Sequence, residues 1–149
     1  MLISNHEPTP AHIQKVTHNY AIRFPEHEAR EDDPNYVDFN HIRREWQKDP
    51  VKWQCHIGIV RGDFSECSLD KPLELHHAHI EFAIMNSVDL GWLERQYPGV
   101  SDPDKLGAWV ESAENLLVLC EFHHRGHAGI HVASSSDYEG LKFVRNLIV

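Results

Sequence analysis

Seven of the thirteen histidines fall in two bursts: His76, His77 and His79, then His123, His124, His127 and His131. Neutral imidazole binds transition metals, and its protonation changes near neutral pH, so two such bursts mark a candidate reaction centre. The first burst stands in Leu73-Glu74-Leu75-His76-His77-Ala78-His79-Ile80. If this is a strand, alternation sends His76 and His77 to different faces. One ring can then hold an ion while the other stays free as a base.

The second burst follows the apolar, strand-length run from Asn115 to Cys120 and reads Glu121-Phe122-His123-His124-Arg125-Gly126-His127. His123 and His127, or His124 and His127, share a face if this stretch is helical. Gly126 and Gly129 argue against a long helix, so His131 is expected on a loop returning toward the site. A polar strand end or a solvent-facing turn would account for either burst alone; the two together favour a shared centre.

These residues resemble the signature of the HNH endonucleases. Leu-Glu-Leu-His-His carries the first histidines, Asn-Leu-Leu-Val-Leu-Cys-Glu-Phe-His-His carries the rest, and His124 follows Asn115 by nine residues. The similarity spans roughly Cys67 to His131 and leaves the first half of the chain unexplained. It implies an α+β chain with a ββα-metal core: strands at about Leu73–Ile80 and Leu116–Cys120, then a helical turn. Carried over by position, His76 and His124 would be metal ligands and His77 the general base. Asn115 would be the residue of the catalytic centre that holds the loop between the strands. The last ligand is His127 or His131, since position 128 is alanine; His131 is favoured because the Gly-Ile-His step lets the chain bend back.

Phosphodiester hydrolysis fits these residue types. An unmetallated histidine can deprotonate water near neutral pH, and one divalent ion can offset the charge that develops on the phosphate. Magnesium, manganese, nickel or zinc would serve. No carboxylate lies inside either burst to bridge a second ion, although Glu81 and Glu121 flank them. The resemblance implies cleavage of DNA to a 3′-hydroxyl and a 5′-phosphate. It also implies a setting such as a phage or mobile element.

Some members of that family carry a structural zinc on two Cys-x-x-Cys pairs. Here the cysteines are Cys55, Cys67 and Cys120, with no such pair, although Cys120-Glu-Phe-His123 has ligand-like spacing. A site from these three and His123 is weighed against Cys120 as a small buried apolar residue. The second reading is preferred, so no structural zinc is expected. Three cysteines also argue against a disulfide framework, which fits a reducing bacterial or phage-infected cytoplasm. Met1 to Gln14 shows no basic-then-apolar leader, and no apolar run has membrane length.

The 149 residues carry a net charge of −9, which opposes nonspecific affinity for a polyanion. From Pro25 to Asp38, Glu26, Glu28, Glu31, Asp32, Asp33 and Asp38 face Arg30 alone; Arg43, Arg44, Lys48 and Lys52 then follow. DNA is therefore expected to bind weakly, mainly through phosphates, or with help from a protein partner. A non-catalytic metal-binding module for protein or nucleic-acid assembly, including a zinc-stabilised adaptor, is the competing reading.

The expected organisation is an N-terminal extension over 1–54 with one helix, Asp38–Gln47, and a core over 55–149. A helical insertion over about 86–113 contains Val88–Tyr97 and continues through Asp104–Ala113. A last helix capped by Ser136-Asp137 runs through Tyr138, Leu141, Phe143, Val144 and Leu147, with its aromatic residues in the core.

Overall fold

The computed structural model describes residues 7–149. The reading of Met1–Gln14 as lacking a leader falls partly on residues 1–6, outside those described. Among the described residues no helix is long and apolar enough to cross a membrane.

Two strands, β1 (Glu74–His77) and β2 (Leu116–Leu119), pair antiparallel with Glu74 opposite Leu119, Leu75 opposite Val118, His76 opposite Leu117 and His77 opposite Leu116. Alternation puts Glu74, His76, Leu117 and Leu119 on one face and Leu75, His77, Leu116 and Val118 on the other. Among the described residues, six helices surround this hairpin: α1 (Tyr36–Gln47), α2 (His56–Arg61), α3 (Leu90–Gln96), α4 (Pro103–Val110), α5 (Glu121–His124) and α6 (Ser135–Gly140). Short 3-10 turns lie at Arg30–Asp32 and Phe82–Ser87. The architecture is α+β, with a two-stranded antiparallel sheet followed by a short helix, an arrangement compatible with a ββα core.

Local chemistry explains most boundaries. The Asp89 carboxylate accepts from Trp92 N–H to start α3, and the Asp102 carboxylate accepts from Asp104 N–H, with Pro103 in the first turn, to start α4. The insertion therefore holds two separately capped helices, and Asp104–Ala113 does not continue Val88–Tyr97. The α2 helix ends at Gly62, whose φ of 65° is a left-handed C-cap open to glycine at little cost. Ser134 caps α6 by accepting from Asp137 N–H, ahead of the expected Ser136-Asp137. That helix stops at Gly140, well before Leu147. Tyr138 and Leu141 are buried, but Phe143 is 75 % exposed. Trp92 is likewise 71 % exposed, so the aromatic stripe in the insertion packs only in part.

Two apolar clusters flank the hairpin. Cys55, Ile57, Leu119, Cys120, Ala128, Tyr138 and Leu141 form one, joining α2, β2, α6 and the α5 loop. Leu93, Leu106, Trp109 and Val110 form the other inside the insertion.

Asn115 ties the hairpin to the insertion. Its Oδ1 accepts from the N–H groups of His79 and Ile80, and its Nδ2 donates to the carbonyls of Ile80 and Val110. It is fully buried. Replacing it with alanine strands several of these groups, each costing about 1–3 kcal/mol if unsatisfied. Asn115→Ala is expected to lower stability by about 3 kcal/mol and the melting temperature by roughly 10 °C. Calorimetry on the purified variant checks this.

Candidate metal centre

The hairpin face bearing His76 brings the two bursts together. The ligating atoms of His76, His124 and His131 all lie within 4.8 Å of one another. The His124 and His131 Nε2 atoms face each other at 3.2 Å. His76 Nδ1 is buried and has no hydrogen-bond partner. An orphaned buried nitrogen is costly unless something fills its lone pair. Two imidazole nitrogens pointing at one another beside such an atom form a donor set suited to a transition-metal cation.

Burial is the chief reason His76 titrates low, at about 4, with His131, His124 and His77 nearby adding to the effect and Glu81 opposing it. Burial also lowers His131. Both rings are therefore neutral at pH 7, the state that binds a metal. The His124 Nδ1 lies 2.6 Å from Glu74 Oε2, and Glu74 Oε1 accepts from Arg125 at 2.6 Å. A carboxylate on Nδ1 fixes the tautomer that leaves Nε2 open and orients the ring.

The fold explains how residues seven apart meet. After the single turn of α5 the chain doubles back, with His131 N–H donating to the His124 carbonyl and Ile130 N–H to the His123 carbonyl. A Cβ on Gly129 would fall 2.6 Å from the His124 carbonyl oxygen and 2.8 Å from Arg125 N. Only glycine lets the return pass this closely. His127 goes elsewhere, its Nε2 lying 2.7 Å from the Val149 carbonyl oxygen. His79 packs beside Tyr97 and Trp109.

His77 occupies the opposite face. Its ring stacks on Phe39 of α1 at 5.7 Å, its Nε2 lies 3.2 Å from Glu111 Oε1, and its Nδ1 lies 3.6 Å from Glu81 Oε2. Burial depresses its basicity, but hydrogen bonds to Glu111 and Glu81 outweigh this and leave it above the ordinary histidine value. Glu81 also lies 3.5 Å from His76 Nδ1 and 3.7 Å from His131 Nε2. One carboxylate thus spans the end of the hairpin between His77 and the three clustered histidines. Asn115 approaches none of these rings; its bonds hold the backbone that carries them.

A second donor set departs from expectation. Cys55, Cys67, Cys120 and His123 gather their ligating atoms within 4.8 Å of one another. The His123 Nδ1 is 3.6, 3.8 and 3.2 Å from the three sulfurs. Tetrahedral zinc, with Zn–S of about 2.3 Å and Zn–N of about 2.0–2.1 Å, sets sulfur–nitrogen edges of about 3.6 Å. Cys120 is thus more than a small apolar filler, because it and His123, three residues on, meet Cys55 and Cys67 from a segment far away in sequence. Hydrogen bonds from Cys55 and Cys67 push the Cys120 thiol down, and its nearness to Cys120 and Cys55 pushes Cys67 up. Burial lowers His123, yet the neighbouring sulfurs raise it to about 9. Crowded thiols of this kind need a cation to ionise together.

Sequence reasoning passed over Glu74, Glu81, Glu111 and Arg30 as site residues. Glu81 was visible only as a flanking acid, and Arg30 only as the lone base in an acidic stretch. Gly129→Ala is expected to displace the return loop and weaken divalent-ion binding at the histidines by about tenfold or more, with the overall fold retained. Calorimetric titration of the variant with manganese tests this. No protein-family model, curated protein or solved structure matches the chain.

Proposed function

We propose that this chain is a metal-dependent endonuclease of the HNH type that hydrolyses DNA phosphodiester bonds. The observation that carries the reading is the convergence of His76, His124 and His131 on one face of the hairpin end, while the adjacent His77 stands apart on the other. His76, His124 and His131 would hold one divalent ion, which when bound would polarise the scissile phosphate and stabilise the charge that develops on it. With Glu111 ionised, the His77 nitrogen facing it is the N–H donor. Glu111 is the nearer carboxylate, 3.2 Å from Nε2 against 3.6 Å between Nδ1 and Glu81, so the neutral ring keeps its lone pair on Nδ1. There His77 takes the proton from an attacking water, as a general base must. Phe39 covers the ring and keeps its orientation narrow.

Few cations stand free around this centre to hold a polyanion. Arg125 is paired with Glu74, and Arg30 with Glu111. DNA binding is therefore weak and steeply salt-dependent unless a partner supplies further contacts.

His77→Ala is expected to reduce nicking of supercoiled plasmid in manganese or nickel by about 100-fold or more, with ion affinity unchanged. Unchanged nicking in that variant, with the ion still bound, overturns the role of His77. A wild-type chain that binds the ion but cuts no DNA favours the non-catalytic module.

Cys55, Cys67, Cys120 and His123 would in turn hold a structural zinc. All four would be protein ligands, a closed set with no position for substrate, which separates this site from the histidine centre. The purified chain is expected to contain one zinc per molecule that chelators remove only as the protein unfolds. Cobalt substitution should give thiolate charge-transfer absorption, lost in Cys120→Ser. A metal-free preparation with the same melting temperature rules this site out.

A further inference from the structure

We propose that Glu111 is a positioning residue for His77, held in place by Arg30, and that it dictates which His77 nitrogen carries the proton. The inference rests on the hydrolytic reading above for its effect on turnover, but its structural content stands without it. Glu111 is 0 % exposed at the C-terminal end of α4. Its two oxygens accept a forked pair of bonds from Arg30, at 2.7 and 2.9 Å, and Oε1 also faces His77 Nε2 at 3.2 Å. The guanidinium lies 4.9, 4.5 and 5.0 Å from the ring centroids of Tyr36, Phe39 and Phe82. Phe39 is the same ring that stacks on His77.

Each part has one geometry available to it. A fork of two parallel bonds fixes the carboxylate plane, which lysine could not do. Three aromatic faces hold the fork by cation–π attraction. An ionised carboxylate can only accept, so the nitrogen that meets it must donate, and a neutral imidazole has only one N–H to give. Two carboxylates meet the ring, and its single N–H goes to the nearer one, Glu111 at 3.2 Å from Nε2 against Glu81 at 3.6 Å from Nδ1, so the lone pair is assigned to Nδ1. The N-terminal segment, through Arg30, and the insertion, through Glu111, act together on a residue of the hairpin. The HNH resemblance assigns no role to either segment.

The test is long-range proton–nitrogen correlation on the His77 ring in the full, zinc-loaded chain, at a pH where the ring is neutral. The wild type is expected to show the Nε2–H tautomer. Glu111→Gln can turn its amide NH2 toward His77 while Arg30 keeps the carbonyl, so the population should move toward Nδ1–H. In manganese, kcat for plasmid nicking should fall by about 100-fold with KM and ion affinity unchanged, and Glu111→Asp should recover part of the loss. An Nδ1–H ring in the wild type overturns the proposal. So does a Glu111→Gln variant with wild-type spectrum and kcat. The wild-type spectrum decides the point even if the glutamine variant does not fold. If the wild type cuts no DNA, the hydrolytic reading fails and the ring spectrum still judges the role of Glu111.

Discussion

The geometry of both histidine faces depends on one buried carboxamide. Asn115 saturates its donors and acceptors on the backbone of His79, Ile80 and Val110, so the end of β1 and the end of α4 are fixed to each other. His76 and His77 sit just before one of these anchored points, and Glu111 just after the other. A carboxamide suits this job because it offers two donors and two acceptor lone pairs in one rigid plane. Its side-chain bonds all go to backbone, and the distances between groups that could do chemistry follow from them.

Around that anchor, each imidazole is governed by what stands behind it. Glu74 backs His124 and Glu111 backs His77, while His76 is buried with no hydrogen bond to its Nδ1. Carboxylates that orient rings are usual behind metal-bound or catalytic histidines, and a surface histidine patch has no need of them. Glu81 joins the two faces: a single carboxylate within 3.7 Å of nitrogens on His76, His77 and His131. The acidity of the chain is thus partly spent inside the site, on orienting groups, instead of being spread wholly over the solvent face.

The parts legible in the sequence were those written in local patterns. Alternation separated His76 from His77; the apolar run predicted β2; and two glycines predicted that α5 would be short and that His131 would return on a loop. Long-range pairings were not legible. Nothing near Arg30 announces that it crosses to Glu111, 81 residues away; Cys55, Cys67, Cys120 and His123 can be grouped by residue type, but no local pattern near Cys55 decides for that grouping. The short helix α2 also escaped, because six residues carry too little periodicity to read. Apolar spacing continues past Gly140 and predicts a longer last helix, but the helix ends there and Phe143 and Val144 face solvent.

His123 and His124 are neighbours on one turn of helix, and they look in different directions: one into the sulfur cluster, the other toward Glu74 and His131. Successive residues on an α-helix are rotated by about 100°. The angle between the two donor sets is therefore set by helical pitch and not by any adjustable contact. A residue inserted between Cys120 and His123 would turn both rings by about 100°, moving His123 to the direction His124 now takes and carrying His124 past both clusters. The number of residues in this stretch is therefore as constrained as the identity of its ligand-type side chains.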